Sequence, residues 1–124
     1  MKRILIIDDE KDFCFFVKQN LELTGGHQVI VATSGKDGIA AAMRYKPDLI
    51  ILDVIMPLMS GFEVLQELKA GKATTMIPVI MLTAVDTDEA KEKALGLYNE
   101  DYIVKPVAIS ELKAKIEAVL SRGL

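Results

Sequence analysis

Five short apolar runs recur along the chain, separated by longer segments with a different spacing of apolar residues. The runs cover residues 4–7, 29–32, 49–52, 79–82 and 102–104. Each run is rich in leucine or β-branched residues and is too short for a buried helix. Continuous rather than alternating apolar character is typical of strands that are covered on both faces. The pattern therefore predicts five buried strands.

The segments between these runs predict helices, because their apolar residues repeat at helical spacing. In the first helix the stripe is Phe13, Phe16, Val17 and Leu21, which leaves Cys14 and Phe15 at its edge. The second and third helices begin near Ser34 and Ser60, and the fourth begins at Asp86 with a pattern like a capping box. The stripes of the other helices are Ile39, Ala42 and Met43; Phe62, Leu65 and Leu68; and Ile109, Leu112, Ile116 and Leu120.

Strands and helices alternate about every 20 to 30 residues, which predicts an α/β fold with a (βα)5 pattern. Right-handed crossovers then produce a doubly wound parallel sheet of five strands with helices on both faces. We expect the flavodoxin-like strand order 2-1-3-4-5, and a single domain over residues 1–124.

Polar side chains stand at the carboxyl ends of four of the predicted strands. Asp8 and Asp9 follow the first strand, Asp53 the third, Thr83 ends the fourth and Lys105 follows the fifth. In a parallel sheet these groups emerge at one edge, where open α/β sheets bind ligands. Crowded carboxylates repel unless a cation lies between them, and Mg²⁺ prefers such oxygen ligands. The sequence thus predicts a Mg²⁺ and phosphoryl site, with Asp53 as the best candidate nucleophile.

Composition narrows the remaining possibilities. The 124 residues carry a net charge of -3, which argues against a basic nucleic-acid face. Cys14 is the only cysteine, so neither an intrachain disulfide nor a cysteine metal site is expected. The apolar stretch at the start is too short for a signal peptide, and no run approaches a membrane span. We expect a reducing, cytoplasmic setting.

Four motifs in this order resemble one known family. They are IIDDE at residues 6–10, D-x-x-M-P-x-x-x-G from Asp53 to Gly61, MLTA at 81–84 and DYIVKP at 101–106. Any one of them alone is weak, but all four at strand ends are highly specific. Over residues 2–121 the chain is similar to the receiver domains of two-component response regulators.

The resemblance implies a role for each acidic residue. Asp53 would be the phosphoacceptor, which takes a phosphoryl group from a sensor histidine kinase. Asp9, Asp53 and the backbone carbonyl of Ile55 would bind Mg²⁺, with Asp8 contributing directly or through water. The chain would not be an enzyme beyond its own phosphotransfer and slow autodephosphorylation.

The resemblance also implies a switch. Thr83 and Lys105 would contact the phosphoryl group, and Thr83 would move toward it. Tyr102 would follow inward and shift the face built from the fourth helix, the fifth strand and the fifth helix. A downstream protein or output domain would read that face, and a phosphorylation-dependent homodimer is possible. The peptide bond between Lys105 and Pro106 would be cis.

The chain departs from the family pattern at several positions. Val107 stands where phenylalanine is common, and Tyr98-Asn99-Glu100-Asp101 replaces the usual Gly-Ala-Asp-Asp. Ile55 and Val85 are apolar at positions that tune phosphoryl lifetime in the family. We hypothesise slow self-dephosphorylation; a half-life of seconds in purified protein would contradict it.

Other functions are less consistent with the residues. A flavodoxin-like cofactor binder needs a phosphate-cradling loop after the first strand, whereas Asp8, Asp9 and Glu10 there repel phosphate. An aspartyl phosphohydrolase typically has a second Asp where this chain has Ile55. Two kinds of output stay open: a stand-alone receiver for a partner or phosphorelay, or a fragment of a DNA-binding regulator. Lys115 stands where the DNA-binding branch typically has Arg.

Overall fold

A computed structural model of the chain describes residues 2–84, 88–89, 92 and 101–122. Within these residues there are five strands: β1 Arg3–Ile7, β2 Gln28–Ala32, β3 Leu49–Leu52, β4 Val79–Thr83 and β5 Asp101–Val104. The described residues also contain four helices with defined ends: α1 Lys11–Gly25, α2 Gly35–Tyr45, α3 Gly61–Ala70 and the C-terminal helix Ile109–Arg122. The predicted start of a helix at Asp86, and the departures at Val85 and at 98–100, lie outside the described residues.

The strands form one parallel sheet in the order β2-β1-β3-β4-β5, as predicted. In the register of β1 with β3, Ile7 lies beside Leu52. The residues that follow these two strands therefore leave the sheet side by side. This point is also where the chain reverses the direction of strand addition, and such a switch point opens a crevice at the carboxyl edge.

Two apolar layers cover the sheet, one on each face. Leu5 and Ile7 belong to the layer that includes residues of α2 and α3, whereas Ile4 and Ile6 belong to the layer of α1 and the C-terminal helix. Successive side chains of a strand point to opposite faces, so a strand buried on both sides must be apolar throughout. This is the physical reason for the continuous apolar runs.

In two helices the buried face agrees only in part with the predicted stripe. In α1 the buried side chains are Cys14, Val17 and Leu21, while 51% of Phe16 is exposed. The predictions that Cys14 lies at the edge and that Phe16 faces the core are therefore wrong, whereas Val17 and Leu21 are buried as predicted.

In α2 the predicted inward position of Met43 is also wrong, because 58% of that residue is exposed. Ala42 is buried as predicted, and Gly38 is buried beside it in place of Met43. A Cβ atom at Gly38 would lie 2.6 Å from Cδ1 of Ile7, so this helix packs close to β1 through small residues. The close approach leaves no room for a methionine side chain on that side.

Helix starts agree with the sequence signals. The side chain of Ser34 accepts a hydrogen bond from the Asp37 backbone N–H at 3.1 Å, as predicted for a cap. Ser60 and Glu63 form a capping box at the start of α3. The box fixes where α3 begins after the loop that follows Asp53.

The open edge of the sheet at β2 is covered by two side chains of α1. Lys18 donates a hydrogen bond to the Val29 carbonyl at 2.7 Å, and Glu22 accepts one from the Val29 N–H at 3.0 Å. Satisfying edge groups with charged side chains discourages pairing with another strand. Among the helices that the structure describes, none is long and apolar enough to cross a membrane.

Candidate functional site

Asp53 lies at the centre of the carboxyl edge of the sheet. It follows β3, is 5% exposed, and its backbone N–H donates to the Ile7 carbonyl at 2.9 Å. The Thr83 hydroxyl, at the end of β4 and fully buried, is hydrogen-bonded to the Asp53 carboxyl group. Two neighbouring strands therefore fix the backbone and the side chain of this residue.

The loop after Asp53 returns close to it at Gly61. The Gly61 N–H donates to the Val54 carbonyl at 2.8 Å. A Cβ atom at residue 61 would lie only 2.0 Å from the Asp53 carbonyl oxygen. Glycine is therefore required for this close approach of two backbone segments.

Lys105, immediately after β5, brings a positive charge into the same site. Its ammonium nitrogen lies 2.8 Å from Asp8 Oδ2, 2.8 Å from Glu10 Oε1 and 4.0 Å from Asp53 Oδ2. The backbone N–H of Lys105 donates a hydrogen bond to the Thr83 carbonyl at 2.7 Å, which connects the end of β5 to the end of β4. The peptide bond from Lys105 to Pro106 is cis, as implied by the resemblance.

The charges in this site are not fully balanced. Burial, followed by the negative charge of Asp8, raises the pKa of Asp53 to about 6 against the opposing effects of Thr83 and Lys105. Burial alone would lower the pKa of Lys105, but its hydrogen bonds to Asp8 and Glu10 outweigh that effect and raise it. The site therefore holds excess negative charge in a poorly hydrated place.

The carboxylates fit a divalent cation. Asp8, Glu10 and Asp53 each place one oxygen within 4.8 Å of the others. Such hard oxygen donors suit Mg²⁺, and a cation among them would relieve the repulsion that raises the Asp53 pKa. Glu10 was not among the predicted site residues. Its only signal was its place as the last residue of the IIDDE motif.

The remaining predicted ligands line a cavity of about 260 Å³ beside this group. Asp9 and Ile55 border it together with Asp53, Thr83, Glu10 and Ala84. The structure thus brings Asp9 to the site but places Glu10, rather than Asp9, in the tight carboxylate group. The backbone of Asp8 is held by α1, because the Cys14 thiol donates a hydrogen bond to the Asp8 carbonyl at 3.3 Å.

The predicted switch residue lies two strands away from the acceptor in the sheet. Tyr102 is half-buried on β5 and pairs with Met81 of β4, while Thr83 pairs with Val104. Its side chain packs against the core layer that contains Met81. Asp101, beside it, forms an ion pair with Lys115 of the C-terminal helix at 3.1 Å. The fifth strand and the C-terminal helix therefore share one face.

Comparison with known proteins decides the family. Residues 4–117 match the family described as response regulator receiver domain. The chain belongs to this family. Receiver domains are the phosphoacceptor switches of two-component systems; they work with histidine kinases and output domains, and they bind Mg²⁺ at an acidic pocket.

Individual relatives support the same assignment. This receiver domain is 40% identical to the alkaline phosphatase synthesis transcriptional regulatory protein PhoP of Bacillus subtilis, covering 98% of this chain and 50% of that protein. It is also 40% identical to protein PilH of Pseudomonas aeruginosa, covering 98% and 99%. The structure of a two-component response regulator from Clostridium difficile superposes with a TM-score of 0.92 at 31% identity, covering 99% and 98%. The receiver thus spans about half the length of the transcriptional regulators it matches.

Proposed function

We propose that Asp53 accepts a phosphoryl group from a sensor histidine kinase in a Mg²⁺-dependent reaction. The observation that carries this proposal is the position of one buried carboxyl group between a hydroxyl, an ammonium group and two further carboxylates. Such a group is poised as a nucleophile next to a site for a cation and a site for an anion.

The transfer is a substitution at phosphorus. A carboxylate oxygen of Asp53 forms the new P–O bond while the P–N bond of the kinase phosphohistidine breaks, and the imidazole nitrogen keeps the electron pair. Lys105 holds a phosphoryl oxygen through its ammonium group, and the Thr83 hydroxyl donates to another. Asp9, Asp53 and the Ile55 carbonyl would hold Mg²⁺, with help from Asp8. The bound ion supplies neutralisation of the negative charge gathered there.

Phosphorylation then changes the charge balance on which the resting contacts depend. The phosphoryl group adds about -1.5 to -2 charge. The Thr83 hydroxyl, already bonded to Asp53, is drawn to the phosphoryl oxygens, and the half-buried ring of Tyr102 moves into the space it leaves. The shifted face comprises β5, the C-terminal helix and the predicted fourth helix, and a downstream protein or output domain reads it.

The output has two candidate forms. Similarity to PilH along nearly all of both chains favours a stand-alone receiver that binds a partner or relays the phosphoryl group. Similarity to half of PhoP, a transcriptional regulatory protein, favours the receiver part of a longer regulator that would bind DNA through another domain. In either form we propose a cytoplasmic domain that does not itself bind nucleic acid or membrane. It catalyses only its own phosphotransfer and slow autodephosphorylation.

Slow autodephosphorylation is supported by the lining of the cavity. Ile55 lines the same cavity as Asp53 and is largely exposed, so at this position an attacking water would meet an apolar side chain rather than a polar group that could position it. Val85, the other apolar residue in the hypothesis, lies outside the described residues. A phosphoryl half-life well beyond seconds is the expected result, and replacing Ile55 with Asn should shorten it.

Intact-mass spectrometry with acetyl phosphate tests the proposal. We expect the wild type to gain one phosphoryl group with Mg²⁺ and none with EDTA. Asp53→Asn should gain none, whereas Asp37→Asn, an exposed carboxylate of α2, should match the wild type. Labelling of Asp53→Asn, or an unlabelled wild type, would refute the assignment. Sedimentation with and without a phosphoryl mimic would then separate a monomeric switch from a phosphorylation-dependent homodimer.

A further inference from the structure

An aromatic ring lies against the ammonium group of Lys105. The Lys105 nitrogen is 4.2 Å from the centroid of the Phe13 ring, within the range of a cation–π contact. Phe13 stands in the first turn of α1 and is half-buried against the apolar layer of that helix. The family motifs include neither this residue nor its contact.

The ring is one of four side chains that lie close to the ammonium group. Asp8 and Glu10 each accept a hydrogen bond from it at 2.8 Å, Asp53 lies 4.0 Å away, and the ring centroid lies 4.2 Å away. The Lys105 side chain is only 12% exposed as a result. Glu10 is largely exposed and gives a contact that water can replace, whereas the ring is fixed on a helix anchored by Val17 and Leu21.

Lysine needs such a support more than other cations do. Its side chain is long and flexible, and its ammonium group is a strongly hydrated point charge. A ring face attracts the cation and keeps water from that side, which strengthens the attraction of the ammonium group for an anion on the other side. Because Asp53 is already 4.0 Å away, Lys105 can reach a group on that carboxylate without leaving the ring.

We propose that Phe13 is a positioning residue for phosphotransfer, whose ring holds the Lys105 ammonium group toward Asp53. This role rests on the proposed function of Asp53 as phosphoacceptor. The competing explanation is that Phe13 only fills space. It borders a groove of about 490 Å³ with Phe16, Ala84, Pro106 and Val107, so its shape alone has a packing value.

Fluorinated phenylalanines separate these explanations, because added fluorine weakens the attraction of the ring face for cations while ring shape is nearly kept. The experiment introduces phenylalanine with one, two and three fluorines at residue 13. It measures the rate of Asp53 phosphorylation by acetyl phosphate at saturating Mg²⁺, together with the melting temperature. The same series at Phe16, an exposed ring on the same helix, is the matched control.

We expect the phosphorylation rate to fall stepwise with fluorine number at residue 13, by roughly 2- to 30-fold in total, as for loss of one cation–π contact. The melting temperature should stay constant, Phe13→Tyr should retain the rate, and the Phe16 series should be flat. A flat series at residue 13 in a protein phosphorylated at Asp53 overturns the role of Phe13 alone. A wild type that accepts no phosphoryl group overturns the proposed function as well.

Discussion

At the scale of single residues, the site depends on groups whose properties differ from those of the same residues in water. Asp53 is buried beside Asp8, so its pKa is raised to about 6 from an ordinary 3.8. Glu10 joins Asp8 in holding Lys105 although the motifs gave it no role. Burial and close neighbours, rather than residue identity, thus set the chemistry of this edge.

Asp53→Asn is expected to stabilise the fold at neutral pH in the absence of divalent cations. The folded chain retains the Asp53 proton up to about pH 6, while the unfolded chain loses it near pH 4. The stability that this carboxyl group contributes is therefore present below pH 4 and is lost as pH rises through 6. The amide avoids that loss, so the free energy of unfolding at pH 7 should rise by on the order of 1–3 kcal/mol.

Urea unfolding in EDTA at pH 4, 5, 6 and 7 measures this difference. The advantage of Asp53→Asn should shrink toward zero at pH 4, and the exposed Asp37→Asn should track the wild type throughout. A wild type that is more stable than Asp53→Asn at pH 7 would show that the folded state does not disfavour the charged form of Asp53.

Gly61→Ala tests the close approach of the loop to Asp53. The new Cβ would meet the Asp53 carbonyl at 2.0 Å, so the loop must move. We expect a loss of about 1–3 kcal/mol in the free energy of unfolding, as for other overpacked sites, and a marked loss of phosphorylation.

The control is Gly26→Ala, where the added Cβ would meet no atom within 4 Å but the backbone φ is +69°. It should lose about 1–2 kcal/mol and retain normal phosphorylation. Equal phosphorylation in both variants would contradict the proposed geometry.

At the scale of elements, helix orientation on the sheet is set by packing. Two overlapping stripes were possible in α1, one with Phe16 and one with Cys14. The structure selects Cys14, Val17 and Leu21, because this rotation also carries Lys18 and Glu22 to the open edge of β2 and Phe13 to Lys105. One rotation of a helix therefore serves the core, the edge and the site.

Leu21→Ala and Leu23→Ala compare the two sides of this helix with identical chemistry. Leu21 is 1% exposed and Leu23 is 82% exposed. The first change should cost about 2–5 kcal/mol in the free energy of unfolding, because it leaves a cavity. The second should stay within about 0.5 kcal/mol of the wild type. Chemical denaturation of both variants measures these changes. Similar losses of unfolding free energy in the two variants would mean that α1 is rotated differently.

At the scale of the whole molecule, the sheet gathers residues far apart in sequence at one edge. Lys105 and Asp8 are separated by 97 positions, yet they form an ion pair at 2.8 Å. The strand order makes this possible, because the ends of β1, β3, β4 and β5 are consecutive along that edge. Ligands bound there should therefore stabilise the entire fold.

Mg²⁺ is expected to raise the melting temperature of the wild type in a concentration-dependent manner, since only the folded chain brings the carboxylates together. At 100 times the dissociation constant the gain is about 2.7 kcal/mol. Asp53→Asn and Asp9→Asn should respond much less, and Asp37→Asn should respond like the wild type. Thermal scans with and without EDTA provide the measurement, and a response unchanged in Asp53→Asn would place the ion elsewhere.

The strands and the polar residues at their carboxyl ends are readable from the amino-acid sequence, whereas the order 2-1-3-4-5 was expected from the flavodoxin-like fold pattern. The former follow from local signals: continuous apolar runs mark strands buried on both faces, and polar residues end them. The match of four motifs to receiver domains then assigned expected roles to Asp53, Thr83, Lys105 and Tyr102.

Which side of α1 and α2 is buried, and which groups complete the site, depends on tertiary packing. The stripe with Phe16 and the stripe with Cys14 share Val17 and Leu21 and differ by only part of a helical turn, so periodicity could not choose between them. The places of Glu10 and Phe13 around Lys105, and the raised pKa of Asp53, depend on distances between segments far apart in sequence. Those distances arise from packing, which no local pattern encodes.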